Sequence, residues 1–528
     1  MVATLAVVAG IRLRLLNFPL ERDEGEYAYA GQLMLQGIPP YELAYNMKFP
    51  GVYAAYAFIM RLFGETPAGI HFGILCMTTL TALLLFWLGK KILDAPAAMV
   101  AATAYAVLAA SPAMLGLAGH ATHFAAFFAT AGQCVMWLAR QNGNWLTAFA
   151  SGLLFGLAIL MKQHAVIIAS WALISFAVTC LCRTDVRFDK RLASGAAFGG
   201  GIILPFGLCC LLLWRAGVFE KFWFWTIDYA REYAAVTPVS EAASRFWLAL
   251  PLVTSTTILL WLFAAAGTAL MWFDERLRPA RLWLLGFSLA SALTIFPGFY
   301  FRAHYFLLTL PAAALLAGCA VSGIIRLSKQ KPGQTQSQNL LLPMYAVFLA
   351  ATVFVNRNVW FCLTPAQASR EVYGQDQFSE AQTAAAFICS NSVPTATVAV
   401  IGSEPEIYFL ADRHSATGYI YTYALLEAQP FAAKMQDEMI REIENGAPEF
   451  VVFADSVQSL GVRPGAKVKI LDWWKSYQTN YTLVGLADVI SPEKTVNVFG
   501  THNVALYGNA IHGSGLEIYQ SKTALNHP

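Results

Sequence analysis

Three carboxylates, Glu21, Asp23 and Glu24, fall within four consecutive positions just after a short apolar opening, and Glu26, Tyr27 and Tyr29 follow directly. Unpaired carboxylates are costly to bury, and a loop that needs only solubility has no use for them beside tyrosines. Cations recur along the chain: Arg22 inside the run, Lys48 in Asn46-Met47-Lys48-Phe49-Pro50-Gly51, Lys162 beside Gln163 and His164, and Arg302 beside His304. A carboxylate facing several cations at the edge of an apolar protein suits one class of reaction. Lys or Arg neutralises the phosphate of a lipid-linked donor whose tail stays in the bilayer. The carboxylate takes the proton of an acceptor hydroxyl as it attacks the anomeric carbon. Phosphate leaves readily, so cations that balance its growing charge suffice in place of a strong general acid.

Each of these residues also has a plain structural role open to it. Asp23 can pair with Arg22 or cap a helix. Lys162 can snorkel at the interface. Arg302 and His304 can anchor a span at headgroup level. Tyr27, Tyr29, Trp223 and Trp225 can stack on sugar rings or form an aromatic belt. His120 and His123, close together at a helix start, have a spacing that allows a shared metal, although interfacial histidines are commoner without one. Glu26 is assigned to the surface.

The elements that must position these groups are membrane spans. The 528 residues are 57% hydrophobic and only 13% charged, against about 25% charged in an ordinary soluble domain. The net charge of +3 is spread over short loops and forms no basic domain for nucleic acid. The nine cysteines lie mostly inside apolar runs and read as small hydrophobes without zinc-type spacing. Apolar stretches long enough to span lie at 67–92, 95–117, 120–139, 144–161, 164–182, 193–214, 246–272, 281–297, 303–325 and 340–356. A first, short span precedes Arg12 and Arg14. Either the true start lies upstream or these arginines snorkel to the far interface.

Charge placement orients the spans. Lys90/Lys91, Arg140, Arg183/Arg187/Lys190/Arg191, Arg276/Arg278/Arg281 and Arg326/Lys329/Lys331 share one side, which is cytoplasmic by the positive-inside bias. The acidic loop 18–66, the Met161–His164 hairpin, loop 215–245, the Phe299–His304 turn and everything after about 357 share the other. The expected fold is an α-helical polytopic membrane protein of about eleven spans over 1–356, followed by an extracytoplasmic α/β domain over 357–528. In that tail, strands are expected at Thr397–Ile401, Phe450–Phe453, Lys467–Leu471, Tyr481–Ile490 and Val504–Tyr507, and helices at Ser379–Cys389 and Ala424–Asn445. The Gly402-Ser403-Glu404-Pro405-Glu406 turn reads either as a ligand-carrying turn or as an ordinary helix start with acids in its first turn.

The acidic loop, the Asn46–Gly51 segment, the Lys162-Gln163 hairpin and Arg302-Ala303-His304-Tyr305-Phe306 together resemble bacterial membrane glycosyltransferases of the GT-C fold. The likeness is to those similar to protein O-mannosyltransferases and aminoarabinose transferases (glycosyltransferase family 39-like), over about 1–356. The resemblance implies an inverting transferase that moves a hexose or pentose from a polyprenyl-phosphate donor to a lipid, glycan or protein acceptor of the cell envelope. It implies Asp23 as general base, with Glu24 supporting it or binding the acceptor. Lys48, Lys162, Arg302 and His304 would bind the donor phosphate, and Arg22, Tyr27 and Gln163 the substrate. Lys48 stands where the family carries a Lys-Pro-Pro-like element, here Lys48-Phe49-Pro50. Cofactor use is open between a divalent cation held by the Asp/Glu pair and direct action of the carboxylates. The expected location is the inner (plasma) membrane.

Two other classes compete. A secondary transporter or flippase would place ionisable or broken segments at mid-membrane and show repeated halves. The spans here are nearly free of charge and no repeat is visible. A scaffold or receptor using its external domain leaves the carboxylate cluster unexplained.

Overall fold

The structure is a computed structural model that describes residues 1–183, 186–329, 336–491 and 493–525, without the side chains of 328–329 and 336–341. The helices begin where capping residues precede apolar runs. Thr66 accepts from the Gly69 amide ahead of Pro67–Ile92, Asp94 from the Ala97 amide ahead of Ala95–Leu108, and Asn144 from the Leu146 amide ahead of Trp145–Met161. Among the described residues, five helices are long and apolar enough to cross a membrane: Pro67–Ile92, Gln163–Cys182, Phe188–Arg215, Val239–Phe273 and Ala303–Leu327. Shorter apolar helices, among them Gly51–Phe63, Ala95–Leu108 and Arg281–Leu293, pack with them. Large apolar side chains such as Trp214, Trp247, Leu248, Leu252 and Leu282 project outward from these helices, as a bilayer-facing surface requires. Trp145–Met161 and Phe188–Arg215 pack with their backbones almost touching. A Cβ at Gly152 would collide with the carbonyl of Phe198.

Several of the basic residues expected on one side are held near helix ends. Arg183 donates to the Arg140 carbonyl at 2.8 Å, and Arg276 bridges Asp94 at 3.1 Å and Asp274 at 2.7 Å. Lys331 lies outside the described residues, as does the side chain of Lys329. The arginines of the first helix, Val2–Arg14, do not reach for headgroups. Arg12 is buried and donates to the carbonyls of Ala109 and Gly116, both at 2.8 Å. Arg14 donates to the carbonyls of Trp360 and Leu363. Both satisfy backbone acceptors left open where helices end.

The acidic stretch forms a helix, α1 here, over Arg22–Leu35. Glu21 and Glu24 make a reciprocal capping box at its start. Its helical period assigns three faces. Arg22, Gly25, Tyr29 and Gln32 turn to the C-terminal region, Asp23 and Glu26 to Lys48, and Glu24 to the Pro67–Ile92 helix. The assignment of Glu26 to the surface is corrected, because its side chain is wholly enclosed.

The C-terminal region carries one six-stranded sheet. Its strands are β1 (Thr397–Ile401), β2 (His414–Ser415), β3 (Phe450–Asp455), β4 (Tyr481–Ser491), β5 (Lys494–Phe499) and β6 (Ser514–Ser521), in the order β2-β1-β3-β6-β4-β5. β1 runs parallel to β2 and β3, and the remaining pairs are antiparallel. Two expected strands are helical instead. Lys469–Tyr477 buries Ile470 and Trp474, a spacing of four that fits a helix face, and Thr501–Tyr507 buries only Val504. The expected helix over Ala424–Asn445 begins only at Ala432, after Gln429-Pro430. The Gly402–Glu406 turn packs against α1 so closely that a Cβ at Gly25 would meet the Glu406 backbone. It buries Ser403, Glu404 and Glu406.

Candidate functional site

A cavity of about 490 Å³ opens between the helix bundle and the C-terminal region. Of the residues singled out from the sequence, Arg22, Asp23, Lys48, Lys162, Gln163, Arg302 and His304 all line it, although they come from four separate stretches of chain. His164 lines it too, its Nδ1 bonded to the Thr294 carbonyl at 2.8 Å. Glu24 and Tyr27 do not. Glu24 is fully buried, with His71 at 3.1 Å and the Gly119 amide donating at 2.5 Å. Tyr27 is enclosed beneath Lys48, whose Nζ lies 4.8 Å from its ring centroid. Tyr29, Trp223 and Trp225 also lie off the cavity wall. Tyr29 packs on Tyr408, Trp225 stacks on Tyr45, and Trp223 faces outward.

Lys48 is the hub. Its Nζ donates to Asp23 Oδ1 at 2.6 Å and to Glu26 Oε2 at 2.7 Å. Burial alone would lower the lysine's pKa, but Asp23 and then Glu26 outweigh it and hold the ammonium charged. Burial likewise raises Asp23, and Lys48, followed by the histidines, more than offsets it, so the carboxyl lies well below the usual range. Glu26 is anchored by three further donors: Asn46 at 2.8 Å, Tyr53 at 2.5 Å and Tyr421 at 3.0 Å. The sequence reading had put this group at the surface. The signal for the site was its place three residues after Asp23, on the same helix face.

The hairpin and the Arg302 turn close the other walls. Gln163 Nε2 donates to the Met47 carbonyl at 2.7 Å, tying the hairpin to the Lys48 segment. Lys162 lies over the Tyr305 ring, with its Nζ 4.5 Å from the centroid. Burial lowers its pKa to about 7, with Lys48 and Arg302 adding to the effect and Asp23 opposing it. Arg302 follows a turn in which Gly298, Phe299 and Phe301 all adopt positive φ, an unfavourable geometry for the two phenylalanines. Its Nη2 donates to the Tyr233 hydroxyl at 2.9 Å. Tyr229 and Tyr233 sit on a segment that passes through a π-helical turn at Phe224–Tyr229, a distortion common at working sites. From the C-terminal region come Tyr421, Tyr423, Glu427 and Arg463, none of them foreseen.

Asp23 also faces two histidines. His120 Nδ1 and His304 Nε2 lie 3.8 and 3.9 Å from its Oδ2, and the two rings stack at 4.3 Å. Donor atoms of Asp23, His120 and His304 lie within 4.8 Å of one another, a set that could hold a metal ion. The fit is chemically sound, because both ring nitrogens of His120 are buried without a hydrogen-bond partner. His123, paired with His120 in the sequence reading, is not in this group.

A family model described as dolichyl-phosphate-mannose-protein mannosyltransferase matches residues 48–213. The chain is similar to ArnT from Cupriavidus metallidurans in the apo state, at 17% identity over 98% of this chain and 96% of that one, with a TM-score of 0.60. The same protein bound to undecaprenyl phosphate matches at 15% identity, 98% and 97% coverage and a TM-score of 0.59. An oligosaccharyltransferase of Archaeoglobus fulgidus, in complex with Zn and sulfate, matches at 15% identity over 94% of this chain and 72% of that one, with a TM-score of 0.56. The chain has the GT-C fold of these proteins, as its resemblance implied, and the likeness runs through the C-terminal sheet as well as the helices.

Proposed function

We propose that this GT-C protein is an inverting glycosyltransferase, which moves a sugar from a polyprenyl-phosphate donor to an envelope acceptor on the extracytoplasmic face of the inner membrane. The observation that carries the reading is one cavity in which the Asp23 carboxylate faces Lys48, Lys162 and Arg302. Arg140, Arg183 and Arg276, none of which lines this cavity, support an extracytoplasmic site by the positive-inside bias. A helical module over 1–356 then carries the donor-binding half of the site, and an extracytoplasmic domain over 357–528 closes it.

The chemistry follows from the charges. The donor phosphate enters among Lys162, Arg302 and Lys48, with His304 beside them, and its charge restores the proton that burial weakens on Lys162. As Lys48 turns part of its charge to the phosphate, its hold on Asp23 relaxes and the carboxylate becomes a stronger base. Asp23 takes the proton of the acceptor hydroxyl while the hydroxyl oxygen bonds to the anomeric carbon and the phosphate departs with the bonding pair. Glu24 supports this from behind by fixing the start of α1 through its capping box. Gln163 fixes the hairpin against the Lys48 segment, and Arg22 and Tyr27 shape the walls around Asp23. A divalent cation at Asp23, His120 and His304 would supply charge neutralisation at the phosphate.

The test is a strain lacking the protein, complemented with the wild type or Asp23→Asn. Mass spectrometry is expected to show loss of one envelope sugar and accumulation of its lipid-linked donor, restored by the wild type alone. Unchanged glycans in the Asp23→Asn strain, with the variant normally inserted, would refute the reading.

A further inference from the structure

One carboxylate of the cavity takes no part in the chemistry above. Glu427 lines the cavity and is only 4% exposed, yet no cation lies within 4.0 Å of it among the described residues. Among the described residues its side chain has one hydrogen bond, from the Tyr229 hydroxyl, which donates to Oε2 at 3.2 Å. A buried carboxylate so thinly held is costly unless something else donates to it.

Its position suggests the donor. Tyr229, which holds Glu427, and Tyr233, which holds Arg302, are four residues apart on one helical segment, with ring centroids 6.4 Å apart. The anchor of a phosphate-binding guanidinium and the anchor of an underused carboxylate are therefore one helical turn apart, a separation of about 6 Å along the axis. That matches the breadth of a sugar ring. The wall between them is aromatic: Tyr233 stacks on Tyr300 at 4.7 Å, and Tyr423 lines the same cavity. Rings offer a surface for the apolar face of a sugar, and a carboxylate accepts from adjacent hydroxyls.

We propose that Glu427 recognises neighbouring hydroxyls on the sugar of the donor while Arg302 holds the phosphate to which that sugar is attached. The proposal rests on the donor reading above and adds to it a residue that selects the sugar. Tyr229 is then a positioning residue for Glu427. The C-terminal region helps choose what is transferred.

The test uses the full chain in lipid nanodiscs and follows tryptophan fluorescence. The probes are undecaprenyl phosphate and its glucosyl, mannosyl and galactosyl derivatives. The wild type is expected to bind at least one glycosylated lipid about tenfold or more tighter than the bare phosphate, the scale of hydrogen bonds to a buried charge. Glu427→Gln should abolish that preference while binding the bare lipid as the wild type does, which also shows that the variant is folded. Tyr229→Phe should lose part of the preference. If the wild type prefers no glycosylated lipid, if Glu427→Gln keeps the preference, or if Glu427→Gln loses the bare lipid too, the sugar assignment falls while the donor reading stands. If the wild type binds neither bare nor glycosylated lipid, the donor reading itself falls.

Discussion

Two clusters on α1 are built from the same ingredients and behave differently. On one face Lys48 sits between Asp23 and Glu26 at 2.6 and 2.7 Å, and Asp23 opens onto the cavity. On the adjacent face Arg22 meets Asp376 and Glu404 at 3.6 and 3.8 Å, beside Glu406, whose carboxylate oxygens are both buried without a partner. Short contacts keep Asp23 charged. In the second cluster burial prevails over the looser cation, and the pKa values of Glu404 and Glu406 rise, that of Glu406 far above its ordinary range. A shared cation at hydrogen-bond range holds the cavity-lining Asp23 low, although burial still raises the enclosed Glu26 on the same lysine. With the cation about an ångström farther off, in a sealed joint, burial raises both carboxyls while the joint fastens one part of the protein to another.

The contrast can be broken at either cluster. Asp23→Asn removes the proposed base and should lower transfer on the order of 10²–10⁴-fold, with the melting temperature little changed, measured on purified enzyme with a defined donor. Arg22→Ala should do the reverse: it strips the joint of its cation and is expected to cost about 3 kcal/mol of stability in denaturant titrations. Activity would then fall through loosening of the C-terminal region. Lys162 sharpens the picture of the working surface. Its charged form binds the donor phosphodiester, so affinity should hold below pH 7 and then fall by about tenfold per pH unit as the lysine deprotonates. Lys162→Arg should flatten that decline in a pH series of binding measurements. The smallest effect belongs to Glu406→Gln. The folded protein raises this carboxyl above its unfolded value, so the stability it contributes is present at low pH and is lost as pH rises. The variant should match the wild type near pH 4 and melt about 1 °C higher at pH 8, a shift of about 1 kcal/mol in a chain of this size.

How much of this was legible depends on the range of the forces involved. Helices and their ends follow from local patterns, so the spans at Pro67–Ile92 and Trp145–Met161 and the strands β1, β3 and β4 lie where the sequence puts them. The cavity cations were legible as well, because interfacial Lys48, Lys162 and Arg302 have few structural uses in a chain so poor in charge. Glu24 misled because adjacency in sequence to Asp23 is not adjacency on a helix. The neighbour that counts is three residues on, at Glu26. Glu427 and Arg463 were out of reach, since no local pattern says that a loop after a sheet strand returns to a bundle cavity. Lys467–Leu471 read as a strand because Val468 and Ile470 are β-branched, and the burial of Ile470 and Trp474 on one face of a helix overrides that preference.

The Tyr421 hydroxyl binds both the Arg22 carbonyl and Glu26, residues that precede it by 399 and 395 positions. A ribosome adding 5–20 residues per second needs roughly 20–80 s to cover that interval. Throughout it, Glu26 lacks the donor that Tyr421 supplies in the finished fold. About four-fifths of the chain must therefore be made before Tyr421 can join the Glu26 cluster and the C-terminal wall of the cavity can form.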